Sequence, residues 1–126
     1  MSNAKKILIV DDEPHILRSL GFVLERAGYD VLQARSGTEA LELIRQEHPV
    51  LVFLDIMMPE LDGYEVCRTI KSSDDLASTY VIMLTAKGQQ HDREEGLEAG
   101  ADEYMTKPFS PSRAVERVHA LLQEPD

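Results

Sequence analysis

Short apolar runs and longer amphipathic segments alternate along the chain. We predict strands at the apolar runs, over residues 7–10, 29–34, 50–54, 80–84 and 102–105. Between the runs, apolar residues recur three and four positions apart, which is the spacing of a helix with one buried face. We predict helices over residues 14–27, 36–47, 63–72, 89–99 and 110–122.

Local signals support the helix boundaries. Pro14 fits the first turn of a helix, where its missing N–H costs nothing, and Gly28 fits a helix end. Ser36 and Glu39 fit a capping box, with Ser followed by Glu three residues later. The inward-facing residues that we expect, helix by helix, are Ile16, Leu20, Val23, Leu24 and Ala27; Ala40, Leu41 and Ile44; Val66 and Ile70; and Val115, Val118, Leu121 and Leu122.

The strict alternation of five strands with five helices predicts an α/β fold. Such a pattern gives a parallel sheet with helices on both faces and right-handed crossovers. We expect the flavodoxin-like strand order 2-1-3-4-5. Residues 50–54 are continuously apolar, as in a central strand buried on both faces. We expect a single domain with its core at about 5–122 and tails at 1–4 and 123–126.

Composition narrows the class of protein. The net charge of −10 argues against direct nucleic-acid binding, which depends on a basic surface. The single cysteine, Cys67, excludes an internal disulfide and is interpreted as a packing residue. No apolar run approaches the ~18 residues that cross a membrane, and the polar start is not typical of a signal peptide. We therefore expect a cytoplasmic protein with no membrane partner.

Polar residues follow four of the predicted strands. The carboxyl ends of parallel strands meet at one edge of the sheet, where ligands bind, and they carry Asp11, Asp12, Asp55, Thr85 and Lys107. Like charges held close together are relieved by a hard cation, and magnesium prefers one or two carboxylates with waters and a phosphate. Lys107 suits a phosphoryl oxygen, and Thr85 offers a hydroxyl donor. The set predicts a phosphoryl-transfer site that uses magnesium.

Several segments together resemble a known family. They are KILIVDDE at 6–13, DIMMPELDG at 55–63, MLTA at 83–86, GADEY at 100–104 and KPF at 107–109. With these motifs the whole chain resembles the receiver domain of bacterial two-component response regulators. The resemblance implies that Asp55 accepts a phosphoryl group from the phosphohistidine of a sensor histidine kinase or phosphotransfer protein. The chain would catalyse its own phosphorylation and dephosphorylation without being a conventional enzyme.

The resemblance also implies roles for individual residues. Asp12, Asp55 and the backbone carbonyl of Met57 would bind Mg²⁺ directly, and Asp11 would act through water. Lys107 and Thr85 would contact the phosphoryl group.

Three further expectations follow from the resemblance. Thr85 and Tyr104 would form a switch pair, in which Thr85 moves towards the phosphate and the Tyr104 ring turns inward. Met57 and Lys87 would flank the path of the water that removes the phosphate. The peptide bond between Lys107 and Pro108 is expected to be cis.

The output surface is expected to be the face of the predicted fourth helix, fifth strand and fifth helix. Residues 100–110 most resemble the DNA-binding, winged-helix subclass, whose receivers pair through this face, although the acidic end at 123–126 departs from that subclass. A homodimer would use charged residues that occur twice across a two-fold axis. They are Glu94, Glu95, Asp102 and Glu103 on the acidic side and Arg113 and Arg117 on the basic side.

Other interpretations of the same residues remain. A receiver-like interaction module that no longer uses phosphate would not need the complete set of site residues. A flavodoxin-like cofactor binder would want a Gly/Ser/Thr-rich phosphate cradle after the first strand, and this chain has Asp11-Asp12-Glu13 there. The histidines show no metal-ligand spacing; they are His15, His48, His91 and His119.

Overall fold

A computed structural model of the chain describes residues 4–58, 61–86 and 99–122, except for the side chain of Ala86. Within these ranges lie five strands and four helices. They are β1 (Lys6–Val10), α1 (Pro14–Arg26), β2 (Asp30–Ala34), α2 (Gly37–Glu47), β3 (Leu51–Asp55), α3 (Gly63–Ser72), β4 (Tyr80–Ala86), β5 (Glu103–Lys107) and α4 (Pro111–Leu122). Helix α4 is the helix predicted as the fifth. Residues 89–98 of the predicted fourth helix lie outside the described residues.

The five strands form one parallel sheet in the order β2-β1-β3-β4-β5. This confirms the predicted strand order and the α/β fold class. Strand β3 lies at the centre and every one of its residues is buried. Of the run predicted to be buried, 50–54, Val50 lies before the strand and is exposed. Because all the strands run in the same direction, their carboxyl ends share one edge of the sheet.

The core has two parts, one on each face of the sheet. Helices α2 and α3 cover the first face, and the predicted inward residues of both helices are buried there. Helices α1 and α4 cover the second face. Cys67 on α3 is fully buried, and its Sγ donates a weak hydrogen bond to the carbonyl oxygen of Ala99 at 3.5 Å. None of the described helices is long and apolar enough to cross a membrane.

The buried face of α1 differs from the predicted one. Its buried residues are Leu17, Leu20, Gly21 and Leu24, a complete i, i+3, i+4, i+7 stripe. Ile16, Val23 and Ala27 flank this stripe and are only half-buried. On α4 the buried residues are Ala114 and Val118, whereas Val115, Leu121 and Leu122 pack at the margin of the core. The predictions missed Leu17 on α1 and one small residue on each helix, Gly21 and Ala114.

Every strand has at least one boundary that differs by one or two residues from the predicted one. Asp55 is the last residue of β3 instead of the residue after it, and it pairs with Leu84 on β4. Strand β5 was predicted at 102–105 but extends to Lys107, because Thr106 and Lys107 continue the pairing with β4. Pairing with a neighbouring strand is a tertiary contact, and local hydrophobicity does not reveal it.

Side-chain caps fix the starts of α2 and α3. Ser36 Oγ accepts a hydrogen bond from the Glu39 backbone N–H at 3.2 Å, as the capping box predicted. The Glu39 carboxylate accepts from the N–H of Arg35 at 2.7 Å, one residue before the Ser36 N–H that donates in a standard capping box. Asp62 caps α3 by accepting from the Glu65 N–H at 3.0 Å. These caps hold both helices at the sheet edge.

Gly63 permits α3 to start directly against the end of β3. We expect Gly63→Ala to destabilise the fold, since a Cβ at this position would overlap the Asp55 carbonyl oxygen and the Ile56 Cα. Overpacking of this kind costs about 1–3 kcal/mol in the free energy of unfolding, which urea denaturation measures. Gly21→Ala is the matched control, because its Cβ would meet only the movable end of the Gln33 side chain. An equal loss in both variants would contradict the expected backbone clash.

Candidate functional site

Strand alternation brings three charged side chains to the same side of the sheet edge. Successive residues of a strand point to opposite faces, so residues two apart share a face. Three residues of the core on the α1–α4 face are Ile9, Phe53 and Met105. Two positions after them in the sequence come Asp11, Asp55 and Lys107, respectively. The three charges therefore converge although they come from three different strands or strand ends.

Three carboxylates meet at this edge. Asp11, Asp12 and Asp55 each offer an oxygen, and these atoms lie within 4.8 Å of one another. Asp11 is fully buried and Asp55 is 5% exposed, whereas Asp12 is exposed to solvent. Two of the three carboxylates are therefore shielded from water. Like charges repel each other more strongly in the protein interior than in water.

Lys107 lies among these carboxylates. Its Nζ is 2.7 Å from Asp11 Oδ2, 3.5 Å from Asp55 Oδ1 and 3.7 Å from Glu13 Oε1. Burial alone would lower the pKa of Lys107, but the close ion pair with Asp11 and the charge of Asp55 raise it above its usual range. The ammonium group is therefore charged and nearest to Asp11.

The negative charge of the Asp55 carboxylate is poorly compensated by its neighbours. Burial raises its pKa to about 7, and the charge of Asp11 adds to the rise. The opposing contributions come from Lys107 and from the Met57 backbone N–H, which donates to Asp55 Oδ1 at 3.3 Å. One lysine does not offset two buried carboxylates, so Asp55 ionises with difficulty near neutral pH.

The oxygen atoms of this cluster fit a hard divalent cation. Asp11 Oδ1 accepts the Glu13 N–H at 3.0 Å. Asp11 Oδ2 is buried and, among the described residues, accepts no hydrogen bond of acceptable geometry, although the Lys107 ammonium lies close to it. An under-coordinated oxygen among three carboxylates matches the ligands that Mg²⁺ prefers.

Thr85 and Tyr104 lie on neighbouring strands beside the site. Thr85 is 4% exposed and immediately follows Leu84, the β4 residue that pairs with Asp55. Tyr104 pairs with Met83 and packs against the core on the α2–α3 face. Because Met83 and Thr85 are two residues apart, Thr85 and Tyr104 share this face.

Met57, whose side chain was predicted to flank the path of the attacking water, is 65% exposed, whereas Met58 is buried. The chain leaves β3 at Asp55, so the alternation of the strand no longer applies. Lys87, the other predicted modulator of turnover, lies outside the described residues. The peptide bond between Lys107 and Pro108 is cis.

Several charged residues of the predicted dimer face are paired within the chain. Arg117 forms two hydrogen bonds to Glu103, both at 2.6 Å, and the Tyr80 hydroxyl donates to the same carboxylate at 2.7 Å. Asp102 pairs with Lys71 at 2.7 Å. Glu94 and Glu95 lie outside the described residues. Asp102 and Glu103 thus both form ion pairs within the chain.

Sequence reasoning assigned no role to two charged residues near these strands. Glu13 approaches Lys107, although it was interpreted only as part of the acidic motif; its position next to Asp11 and Asp12 was the available signal. Lys71 contacts Asp102, and no local pattern connects residues so far apart in the sequence.

The family model of the response regulator receiver domain matches residues 7–119. The alkaline phosphatase synthesis transcriptional regulatory protein PhoP of Bacillus subtilis (strain 168) is 50% identical over 119 residues, which are 94% of this chain and 49% of that protein. The probable transcriptional regulator ycf27 of Cyanophora paradoxa is 50% identical over 121 residues, 96% of this chain and 49% of that protein. The chain thus spans about half the length of these curated relatives.

A solved structure matches the fold closely. The crystal structure of a putative response regulator from Chloroflexus aurantiacus J-10-fl has a TM-score of 0.89 and 37% sequence identity. The match covers 97% of this chain and 100% of that chain.

The raised pKa of Asp55 predicts a pH-dependent cost to stability. Its pKa is about 7 in the folded chain against 3.8 for a free carboxyl group, so the folded state binds this proton more tightly. The cost is absent below about pH 4, grows as the pH rises and is complete above about pH 7. Asp55→Asn removes the charge, so we expect its stability relative to the wild type to rise between pH 5 and pH 8.

The size of this gain follows from the shift. Each pKa unit corresponds to about 1.4 kcal/mol, and we expect a gain on the order of 2 kcal/mol by urea unfolding. Asp75→Asn, at an exposed position, is the control and should follow the wild type at both pH values. If the free energy of unfolding changed with pH in the same way in Asp55→Asn and in the wild type, the raised pKa of Asp55 would be refuted.

Proposed function

The chain belongs to the response regulator receiver domain family, and from this premise we propose that it is a phosphorylation-dependent signalling switch whose phosphoacceptor is Asp55. The observation that carries the proposal is the Asp55 carboxyl group. It lies at the end of a fully buried strand, 3.5 Å from a lysine ammonium and among two further carboxylates. Such a group is held in place for attack on a phosphoryl group.

The proposed reaction transfers a phosphoryl group between two side chains. An oxygen of ionised Asp55 attacks the phosphorus of a phosphohistidine on a sensor histidine kinase or phosphotransfer protein. A P–O bond forms, the P–N bond breaks, and the departing imidazole takes up a proton. Hydrolysis of the resulting acyl phosphate returns the carboxylate, so the chain catalyses its own cycle.

Mg²⁺ would be held by Asp12, Asp55 and the Met57 carbonyl oxygen, with Asp11 acting through water. The ion would supply the positive charge that the carboxylates and the phosphoryl oxygens require. Lys107 would bind a phosphoryl oxygen. Since Lys107 is nearest to Asp11 in the structure, we propose that the lysine exchanges this carboxylate for the phosphoryl group.

The state of Asp55 would be transmitted through Thr85 and Tyr104, which share one face of the sheet. Thr85 would donate its hydroxyl to the phosphoryl group, and the Tyr104 ring would follow. Met57 and Lys87 would flank the attacking water, and the exposure of Met57 is compatible with that position. We assign the output to the β5–α4 side, where a second copy or another cytoplasmic partner would bind. Glu103 and Arg117 would have to separate before either could serve that partner.

Acetyl phosphate with magnesium should add one phosphoryl group to the chain, detected by intact-mass spectrometry. Asp55→Asn should accept none, because an amide is not a nucleophile of this kind. Asp75→Asn is the matched control and should be modified like the wild type. A phosphoryl adduct on Asp55→Asn would refute the site, and an unmodified wild type would favour a phosphate-independent interaction module.

Magnesium binding should depend on Asp12. We expect Asp12→Ala to lose detectable Mg²⁺ binding in titration calorimetry, because an exposed carboxylate ligand is removed. Without magnesium its thermal stability should equal or exceed that of the wild type, since repulsion among the carboxylates is relieved. Glu13→Ala removes a neighbouring charge outside the carboxylate cluster and should retain binding. Undiminished binding in Asp12→Ala would disprove the assignment.

A further inference from the structure

The position of Lys107 depends on how β5 is aligned with β4. Lys107 is the last residue of β5 and pairs with Ala86. A slip of one residue would move it by about 3.3 Å along the strand and turn its side chain to the opposite face. Its 2.7 Å approach to Asp11 tolerates neither change.

Burial specifies this alignment only weakly. Strand β5 lies at the end of the described sheet, and Met105 is its one buried residue. Thr106 is exposed and the others are half-buried. Register is strongly set where one face of a strand is fully buried, and less so in a partly polar strand such as this.

Asp102, just before β5, is bound to a single residue of β4. Its backbone N–H donates to the Val81 carbonyl oxygen at 3.0 Å, and its Oδ2 accepts the Val81 N–H at 2.8 Å. The aspartate side chain is short, so these two bonds are compatible with one alignment only. They place Asp102 across from Val81, in step with the pairing of Glu103 and Ile82.

Lys71, in the last turn of α3, holds that aspartate in place. Its Nζ lies 2.7 Å from Asp102 Oδ2 and donates to the carbonyl oxygens of Ala77 at 3.2 Å and Thr79 at 2.6 Å. Its side chain is 19% exposed. Gly100 packs over the stem, where a Cβ would approach Lys71 Cγ to 3.0 Å. One ammonium group thus connects α3, the turn before β4 and the start of β5.

The contacts of the neighbouring residue Glu103 restrict the register of β5 less. Tyr80 and Arg117 reach Glu103 with long side chains, which can adjust to a displacement of a few ångströms. The Lys71–Asp102 pair acts through a short side chain that is also bonded to the β4 backbone. It is therefore the contact best suited to distinguish one register from the next.

We propose that the Lys71–Asp102 ion pair fixes the register of β5 on β4 and so places Lys107 at the phosphoacceptor site. Lys71 is then a positioning residue that acts from the opposite end of the strand. The chemical consequence rests on the proposed function, whereas the placement of Lys107 can be measured without it.

Amine labelling reads the placement directly. Folded protein is treated briefly with a low dose of an acetylating N-hydroxysuccinimide ester, and each lysine is quantified by mass spectrometry with Lys5 as internal reference. In Lys71→Met and Asp102→Asn we expect Lys107 to be acetylated about tenfold faster than in the wild type, because local release exposes it. Asn at 102 can still accept the Val81 N–H, so that variant isolates the ion pair.

Lys6→Met is the matched control. It removes another lysine–carboxylate pair, with Glu47 at 2.9 Å, at the start of β1 and should leave the labelling of Lys107 unchanged. Unchanged labelling in Asp102→Asn would overturn the proposal, and this variant alone decides if Lys71→Met does not fold. Equal acceleration in Lys6→Met would also overturn it, because general loosening would then be the cause.

Phosphorylation by acetyl phosphate tests the chemical consequence. At saturating donor and magnesium, Lys71→Met should react about tenfold more slowly or worse, as a misplaced group does. Lys71→Arg, which can pair with Asp102 again, should recover part of the rate. Faster labelling of Lys107 with an unchanged phosphorylation rate would overturn the link from register to chemistry. A wild type that is not phosphorylated at all would instead refute the proposed function.

Discussion

The structure depends on an imbalance of charge at one edge of the sheet. Two buried carboxylates, Asp11 and Asp55, face a single ammonium group, that of Lys107. The apolar residues of β1 and β3 are buried, so the two carboxylates that follow them cannot move apart to relieve their repulsion. The negative charge of such a site is only partly compensated, and an added cation would relieve the repulsion between its carboxylates.

Much of this arrangement could be predicted from the sequence. The apolar run before Asp55 indicated a central strand, and the strand–helix alternation indicated the sheet order. Together they brought the polar strand ends to one edge. The helix cap at Ser36 was predicted as well, because a short side chain there bonds within its own turn. Patterns of this range are visible in the sequence because they depend on neighbouring residues.

Other features arise from contacts that no local pattern encodes. The predicted end of β5 was wrong by two residues, because pairing with β4 determines where the strand ends. The buried stripe of α1 includes Gly21, which hydrophobicity does not select. The pairs Glu103–Arg117 and Lys71–Asp102 were missed for the same reason. These contacts join elements far apart in the chain, so they depend on the assembled fold.

The buried Cys67 thiol on α3 is chemically unreactive. Burial raises the pKa of Cys67 to about 11, so roughly one molecule in ten thousand carries the reactive thiolate at neutral pH. The sulfur is also enclosed by the core and faces the Ala99 carbonyl oxygen. Peroxides and disulfides therefore find no nucleophile there. With no other cysteine in the chain, thiol oxidation offers no route by which the site at the sheet edge could be altered.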